Sequence, residues 1–409
     1  MKVIFTFGGL PHYLINILNR LNRLPGYEVK VVVPSSKGKT LGKGVHESTD
    51  DIEFGVIRLE EARAWYGKVY FKKFTHILKQ ENPDILVINW PYVMAFLLIP
   101  SWRKSRKSRK YKLLYRDIPF NLPPYDQALE FYKNQLQDEN GERVNKKWGL
   151  KQVVYYGLFR QLVRSYLKVM DAHLYYTEGA STIIPTYGVD PGKIFITYNT
   201  PDTDQLFHIR EKIESDPSYK QIDRKIILHV GRLVAWKKVD LLIGAFSMVH
   251  RHYPESELWI IGDGPESVRL KNQAEQSGDG HSIKFLGPVY DPVELGKYHL
   301  QAAVYVLAGM GGLSINEAMA FGKPVICSRA DGTEKKLVRH GYNGYFFMEN
   351  DQADLADKIM DLLSNPEKIK IFGINSSNII KTEINVHTVI DRYKKAFDSI
   401  AKNQDERNE

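Results

Sequence analysis

Residues 226–252 read IILHVGRLVAWKKVDLLIGAFSMVHRH. An aliphatic, β-branched run, Ile226–Val230, is closed by Gly231. After a basic turn, apolar residues recur at helical spacing from Val239 to His252. A strand, a glycine turn and an amphipathic helix in that order are the opening of a βαβ unit. Such units build a parallel sheet with helices over both faces. The alternation continues downstream. Strands are predicted at Leu258–Ile261, Ile283–Leu286, Val304–Leu307, Pro324–Cys327 and Tyr345–Phe347. Helices are predicted at Glu266–Gln276, Ile315–Phe321, Gln352–Leu363 and Pro366–Lys381.

Upstream the same rhythm is present. Strands are predicted at Val3–Phe7, Val29–Pro34, Ile85–Asn89, Leu113–Arg116, His173–Thr177 and Ile194–Tyr198, with helices at Tyr13–Leu24, Tyr66–Gln80 and Val153–Met170. Pro119–Trp148 breaks the rhythm and reads as an insertion with a helix near Gln127–Gln137. Pro201–Arg224 is polar and holds two prolines, which suits a linker. At 409 residues the chain exceeds one ordinary hydrophobic core. The expectation is an α/β protein of two doubly wound, Rossmann-like domains facing each other across a cleft. Residues 1–205 form the first, 206–380 the second, and 381–409 a helix returning towards the first domain, with a polar tail.

Composition narrows the class. The chain is 43% hydrophobic and 26% charged, ordinary for a globular protein. A single cysteine, Cys327, excludes an intrachain disulfide and fits a reducing compartment. The apolar run at MKVIFTF is too short for a secretory signal and reads as a strand. No run approaches the ~20 apolar residues of a spanning helix. A cytoplasmic protein is therefore expected. The net charge of +9 is unevenly shared: residues 1–200 hold 30 Lys+Arg against 18 Asp+Glu, so +12, leaving −3 for the rest. The densest basic run, Trp102–Lys112, follows the apolar run Tyr92–Ile99. Together with the aromatic and basic helix at Val153–Lys168, they suit a peripheral membrane surface, although a solvated loop and a core helix fit too. No nucleic-acid recognition motif accompanies the charge, so no nucleic-acid partner is expected.

In doubly wound sheets ligands sit beyond the carboxyl ends of the strands. Three stretches occupy that place in the second half. Gly231, Arg232 and Lys237 follow Val230; glycine permits close approach and the two cations can neutralise a diphosphate, although an ordinary basic loop also fits. Gly262-Asp263-Gly264-Pro265 opens a helix, and a tight strand-to-helix turn explains it as well. Gly309 to Glu317 places three glycines before a helix, where amides can hold an anion, and Glu317 is predicted within its first turn. Those glycines have no evident packing reason in the sequence, which favours a ligand.

The pieces HVGRLVAWKK, LWIIGDGPE, IKFLGPV, GLSINEAMAFGKPVICSRADG and GYNGYFF, in this order and at these gaps, resemble the donor domain of the family-4 retaining glycosyltransferases of GT-B fold. The run YNTPDTDQLF, residues 198–207, resembles the segment entering that domain. The likeness covers roughly residues 195–350; the first half resembles the family loosely, through Gly8-Gly9 after the first strand. The resemblance implies that Arg232 and Lys237 grip the donor diphosphate and that Glu317 binds the nucleotide ribose. It further implies that Leu313 and Ser314, with Gly231, Gly262 and Gly312, line the donor site, and that Gly8 and Gly9 approach the phosphates from the first domain.

Two departures stand out. Position 309 is glycine where the family has the first Glu of a paired motif, which touches the transferred sugar. The family's histidine after a first-domain strand is replaced near Arg116 and Asp117; Asp117 could take the acceptor proton, or cap the turn before Pro119. Asp202-Thr203-Asp204 spells a metal-binding D-x-D but lies in a turn-forming junction, and no metal or other cofactor is expected. His12 reads as a loop residue and Trp236 as a rim aromatic. The expected activity is retaining transfer of a sugar from a UDP- or GDP-sugar to a glycan acceptor. A polyprenyl-diphosphate-linked acceptor at the inner face of the cell membrane would suit the basic first half, in polysaccharide, lipopolysaccharide or capsule assembly. The alternative is a catalytically weak nucleotide-sugar-binding subunit of a glycosylation complex.

Overall fold

In the computed structural model, the described residues are 1–36, 51–117, 122–134, 149–222, 225–329 and 332–405. They divide into two compact units: Met1–Tyr198 with Val389–Glu409, and Asn199–Thr388.

The strands in chain order are β1 Lys2–Thr6, β2 Glu28–Pro34, β3 Gly55–Leu59, β4 Glu61–Arg63, β5 Val69–Phe71, β6 Ile85–Ile88, β7 Lys112–Asp117, β8 Ala172–Tyr175, β9 Ile194–Ile196, β10 Ile226–Val230, β11 Glu257–Ile261, β12 Ile283–Gly287, β13 Val304–Leu307, β14 Val325–Ser328 and β15 Gly344–Phe347. The first unit holds a seven-stranded sheet in the order β3-β2-β1-β6-β7-β8-β9, and the second a six-stranded sheet in the order β12-β11-β10-β13-β14-β15. All pairs in both sheets are parallel. This is the doubly wound arrangement expected from the sequence. In each sheet the order reverses beside its first strand, which creates a switch point: β1 against β6, and β10 against β13.

The central strands are nearly all apolar because helices cover both of their faces. Val3, Ile4 and Phe5 of β1, and Ile226 to Leu228 of β10, are fully buried. The second core gathers Ile227, Leu258, Val304 and Ile326 of the sheet with Leu242, Phe246, Leu355 and Ile359 of the helices Val239–His252 and Gln352–Leu363. Side chains of this size contribute roughly 1.5–3 kcal/mol each when fully buried. The C-terminal helix, Val386–Asp405, belongs to the first unit from Val389 onwards. There Phe397 packs edge-on to Phe5, with ring centroids 6.2 Å apart, and the Tyr27 hydroxyl donates to Asp398 at 2.6 Å.

Several sequence expectations need correction. The span Tyr66–Gln80 is not one helix: β5 pairs antiparallel with β4, and only Phe74–Glu81 is helical. The aromatic spacing of that span reflects packing of Phe71 and Phe74 in the core. Pro201–Arg224 is not merely a linker, since Thr203–Glu214 is a helix whose Ile209 and Ile213 pack with Leu300 and Phe321. Leu206 packs against the same cluster, but charged and polar residues between these three apolar positions dilute the period. His12 is the first residue of the helix His12–Asn22 and not a loop residue. Of the expected insertion helix, Ala128–Asn134 falls within the described residues and the remainder lies outside them. Tyr92 to Phe96 are buried in the first core, and Trp102 is enclosed by Tyr70, Phe74 and Phe96. The run Tyr92–Ile99 therefore supplies core, not a membrane face. Among the described residues no helix is long and apolar enough to cross a membrane.

Candidate functional site

Two loops meet at the switch point of the second sheet. The first leaves β10 at Gly231, whose amide donates to Ile261 O at 2.9 Å, and passes Arg232 to a short 3-10 turn, Ala235–Lys237. Lys238 then adopts a left-handed conformation, φ 51°, and starts the helix Val239–His252. The second loop leaves β13 at Ala308 and passes Gly309 to Gly312 into the helix Leu313–Ala320. Adjacent pairing of β10 and β13 brings the loops together. The Met310 amide donates to Trp236 O at 3.0 Å.

The glycines have packing reasons that the sequence did not disclose. A Cβ on Gly309 would lie 2.0 Å from Trp236 O, and one on Gly312 would lie 2.6 Å from a Thr333 methyl carbon. Gly311 has φ +154°, and a Cβ there would lie 2.3 Å from Lys237 Nζ. Gly262, φ +132°, would meet Gly231 O at 1.9 Å, and Gly264 would meet Leu233 O at 2.3 Å. So Gly262 and Gly264 let two loops stack backbone on backbone. The expectation that the glycines lack packing roles is corrected, and the same contacts show what they achieve. They set the Lys237 ammonium directly over the turn that precedes the helix Leu313–Ala320.

That helix has no acidic residue in its first turn and no side-chain cap. Glu317 is its fifth residue, one turn further in than expected. Glu317 keeps some accessible surface yet lies deep among protein atoms, and desolvation pushes its carboxyl up to about 7. Beneath it, the Tyr305 hydroxyl donates to Val230 O at 3.1 Å and shares a hydrogen bond with Ser314. His229, on β10, was not singled out from sequence. Its Nδ1 sits 3.0 Å from Val306 O, its Nε2 is buried without a partner, and burial lowers its pKa to about 4, with Lys237 adding to the shift. The ring is therefore neutral at pH 7, with Nδ1 as the donor. The signal for it is its place two residues before Gly231, but a histidine inside an apolar strand reads as core.

Arg232 lies over the ring of Trp236 at 5.6 Å, and Trp236 is half exposed, the rim position expected. The neighbouring Lys238 is engaged with Glu349 at 2.6 Å. Thus Gly231, Arg232, Lys237, Gly312, Leu313, Ser314 and Glu317 occupy the two loops and the helix they lead into. Asp202 accepts from the Gln205 amide as the cap of Thr203–Glu214, and Asp204 bonds His387. Capping and pairing account for both members of the D-x-D.

In the first unit, Gly8 and Gly9 join β1 to the helix His12–Asn22. Asp117 ends β7 and accepts a hydrogen bond from the Tyr115 hydroxyl.

Residues 211–378 match the family model for glycosyl transferases group 1. The second unit carries a glycosyl transferases group 1 domain. Over 379 residues the chain is 29% identical to an alpha-monoglucosyldiacylglycerol synthase of Acholeplasma laidlawii, covering 90% of this chain and 87% of that one. It is 28% identical over 177 residues to an uncharacterized glycosyltransferase of Haemophilus influenzae, covering 42% and 49%. The matches span about half the length of the first curated relatives. Among solved structures, the Anabaena protein HepE in complex with UDP superposes with a TM-score of 0.65 over 98% of this chain and 100% of that chain, at 18% identity. This likeness establishes the GT-B fold. The group 1 domain contains all of the loops described above for the second unit.

Proposed function

We propose that the chain is a family-4, retaining glycosyltransferase that takes its sugar from a nucleoside-diphosphate donor, UDP- or GDP-linked. The observation that carries this reading is the meeting of Lys237 with the Gly309–Gly312 turn, one helical turn before a deeply placed carboxylate, within a group 1 domain. Arg232 and Lys237 supply two positive charges where a diphosphate leaves, and the helix amides of Leu313 and Ser314 add donors. Glu317 accepts two hydroxyls of the nucleotide ribose. The acceptor oxygen attacks the anomeric carbon on the face from which the diphosphate departs. The bond to the phosphate oxygen breaks, and the acceptor proton passes to that oxygen. Charge is neutralised by the two cations, so transfer proceeds without a resident metal and is expected to survive a chelator.

For the acceptor we propose a glycan or lipid-linked glycan at the cytoplasmic face of a membrane, with Asp117 orienting its hydroxyl. The helix Leu150–Lys168 supports this. Val153, Val154, Tyr155 and Leu158 are exposed on it, and the same helix carries Arg160, Arg164 and Lys168 further along, the two arginines stacked on Tyr125. The near full-length likeness to an enzyme named for a glycosyl diacylglycerol points the same way. The test is incubation with UDP- and GDP-sugars and a lipid-linked acceptor, followed by determination of the anomeric configuration. Retained configuration is expected; an inverted product would overturn the mechanism. Gly309 favours the second reading, a weakly active nucleotide-sugar-binding subunit. Binding of a nucleotide sugar with neither hydrolysis nor transfer would select it.

A further inference from the structure

One face of the first sheet carries more hydroxyls than packing requires. Tyr115 on β7, Tyr175 on the paired strand β8 and Tyr166 on the helix Leu150–Lys168 are each at most 3% exposed. The Tyr115 ring lies 5.3 Å from that of Tyr166 and 6.3 Å from that of Tyr175, centroid to centroid. Phenylalanine would fill the same space and leave no polar atom to satisfy, and a buried hydroxyl without a partner costs stability. The Tyr175 hydroxyl has no hydrogen-bond partner among the described residues. Those of Tyr115 and Tyr166 are bonded to each other and lead to Asp117.

The direction of that chain follows from counting protons. A phenol has one. Tyr115 donates its own to the Asp117 carboxylate. The bond between the two phenols therefore uses the proton of Tyr166. Burial above all, with the Asp117 charge adding to it, raises the pKa of both phenols, so they stay neutral donors at physiological pH. Donors in series polarise one another, and each strengthens the next. The chain ends on the member that reaches solvent. Asp117 is partly exposed and is the last residue of β7, at the carboxyl edge where ligands of doubly wound sheets bind.

We propose that Tyr115 and Tyr166 are positioning residues, a buried hydroxyl relay that fixes the Asp117 carboxylate so that it accepts the hydroxyl of the glycosyl acceptor in one orientation. The role of Asp117 towards the acceptor rests on the transferase reading above; the relay behind it stands on the geometry of the first unit. The consequence is specific to transfer. Water reaching the donor needs no such orientation, so donor binding and slow donor hydrolysis do not depend on the relay.

The test uses the full chain, with UDP-glucose, UDP-galactose and GDP-mannose as donors and a polyprenyl-diphosphate-linked glycan as acceptor. Tyr115→Phe should lower kcat for transfer about tenfold, with the KM for the donor and the rate of donor hydrolysis unchanged. Tyr166→Phe should lower it about threefold, because that hydroxyl acts through Tyr115. The double variant should transfer no more slowly than Tyr115→Phe and melt no lower, since it leaves no relay hydroxyl stranded. Tyr175→Phe removes a hydroxyl outside the relay and should leave transfer unchanged. Asp117→Asn separates the two claims. If it loses transfer while both phenylalanine variants turn over normally, Asp117 serves the acceptor without the relay, and the proposal alone is overturned. If it keeps full transfer, the role of Asp117 falls and the proposal with it. Additive losses in the double variant, or equal losses of transfer and of donor hydrolysis, would show that the two tyrosines only support the fold, and would overturn it too. A wild type that transfers from none of these donors overturns the transferase reading and the proposal together.

Discussion

At the scale of single residues, Glu317 and Gly309 carry the sharpest consequences. Burial raises the Glu317 carboxyl from 4.5 to about 7. A raised acid binds its proton more tightly in the folded chain than in the unfolded one, so its ionisation costs stability. The cost is absent below about pH 4.5, grows as the pH rises to about 7, and is constant above. Glu317→Gln should therefore be more stable than wild type at pH 8, by something on the order of 2 kcal/mol after allowing for residual solvent contact, and equal to it near pH 4. Denaturant titrations at the two pH values measure this. Binding runs the other way. In the proposed donor site the ribose hydroxyls donate to the ionised carboxylate, so under that proposal nucleotide affinity should rise from pH 6 to pH 8 in the wild type and stay flat in the Gln variant. Position 309 is glycine where the resembled family has glutamate, yet adding a side chain there is not expected to improve activity. A Cβ would collide with Trp236 O, part of the backbone that seats Lys237. Gly309→Ala should lose about 1–3 kcal/mol of stability and weaken nucleotide binding along with it. A wild-type melting temperature in that variant would show the loop to be freely adjustable.

At the scale of elements, strands and helices with strong periods were legible and weak ones were not. Ile226–Val230, Val239–His252 and Gln352–Leu363 were read to the residue, because apolar runs bounded by glycine or polar caps leave one solution. β3 escaped, being a half-exposed edge strand interrupted by Arg58. The helix Pro292–Gln301 escaped as well, since glycine and polar residues dilute its face. In the site, the loops after β10 and β13 were located from their glycines. The backbone contacts that require those glycines were not, because which loops meet depends on strand order and not on spacing. Among elements, the helix Leu150–Lys168 offers the clearest exposed apolar surface: Leu158 is 67% exposed and Tyr155 63%. Leu158→Asp with Val154→Asp should leave the melting temperature unchanged, since neither residue supports the core. It should weaken binding to anionic phosphatidylglycerol vesicles about tenfold or more in a sedimentation assay. Unaltered vesicle binding would remove this helix from the membrane account.

At the scale of the whole molecule, charge and chemistry are divided between the two halves of the chain. The first 200 residues carry +12 and the rest −3. The second unit holds the two facing loops and the match to the group 1 model, and most of the excess positive charge lies in the first 200 residues. This division suits an enzyme that meets a soluble nucleotide sugar with one unit and an anionic or membrane-bound acceptor with the other. Vesicle binding should therefore fall steeply with salt, while nucleotide binding changes far less. The central claim is that the second unit holds a nucleoside diphosphate through Arg232, Lys237 and Glu317. Calorimetric titration of the wild type and of Glu317→Ala with UDP, GDP, ADP and CDP and their sugar conjugates tests it most directly. One base should bind the wild type, and its affinity should fall by about tenfold or more in Glu317→Ala with the melting temperature kept. Binding of no nucleotide, or equal binding by the two proteins, would contradict the claim.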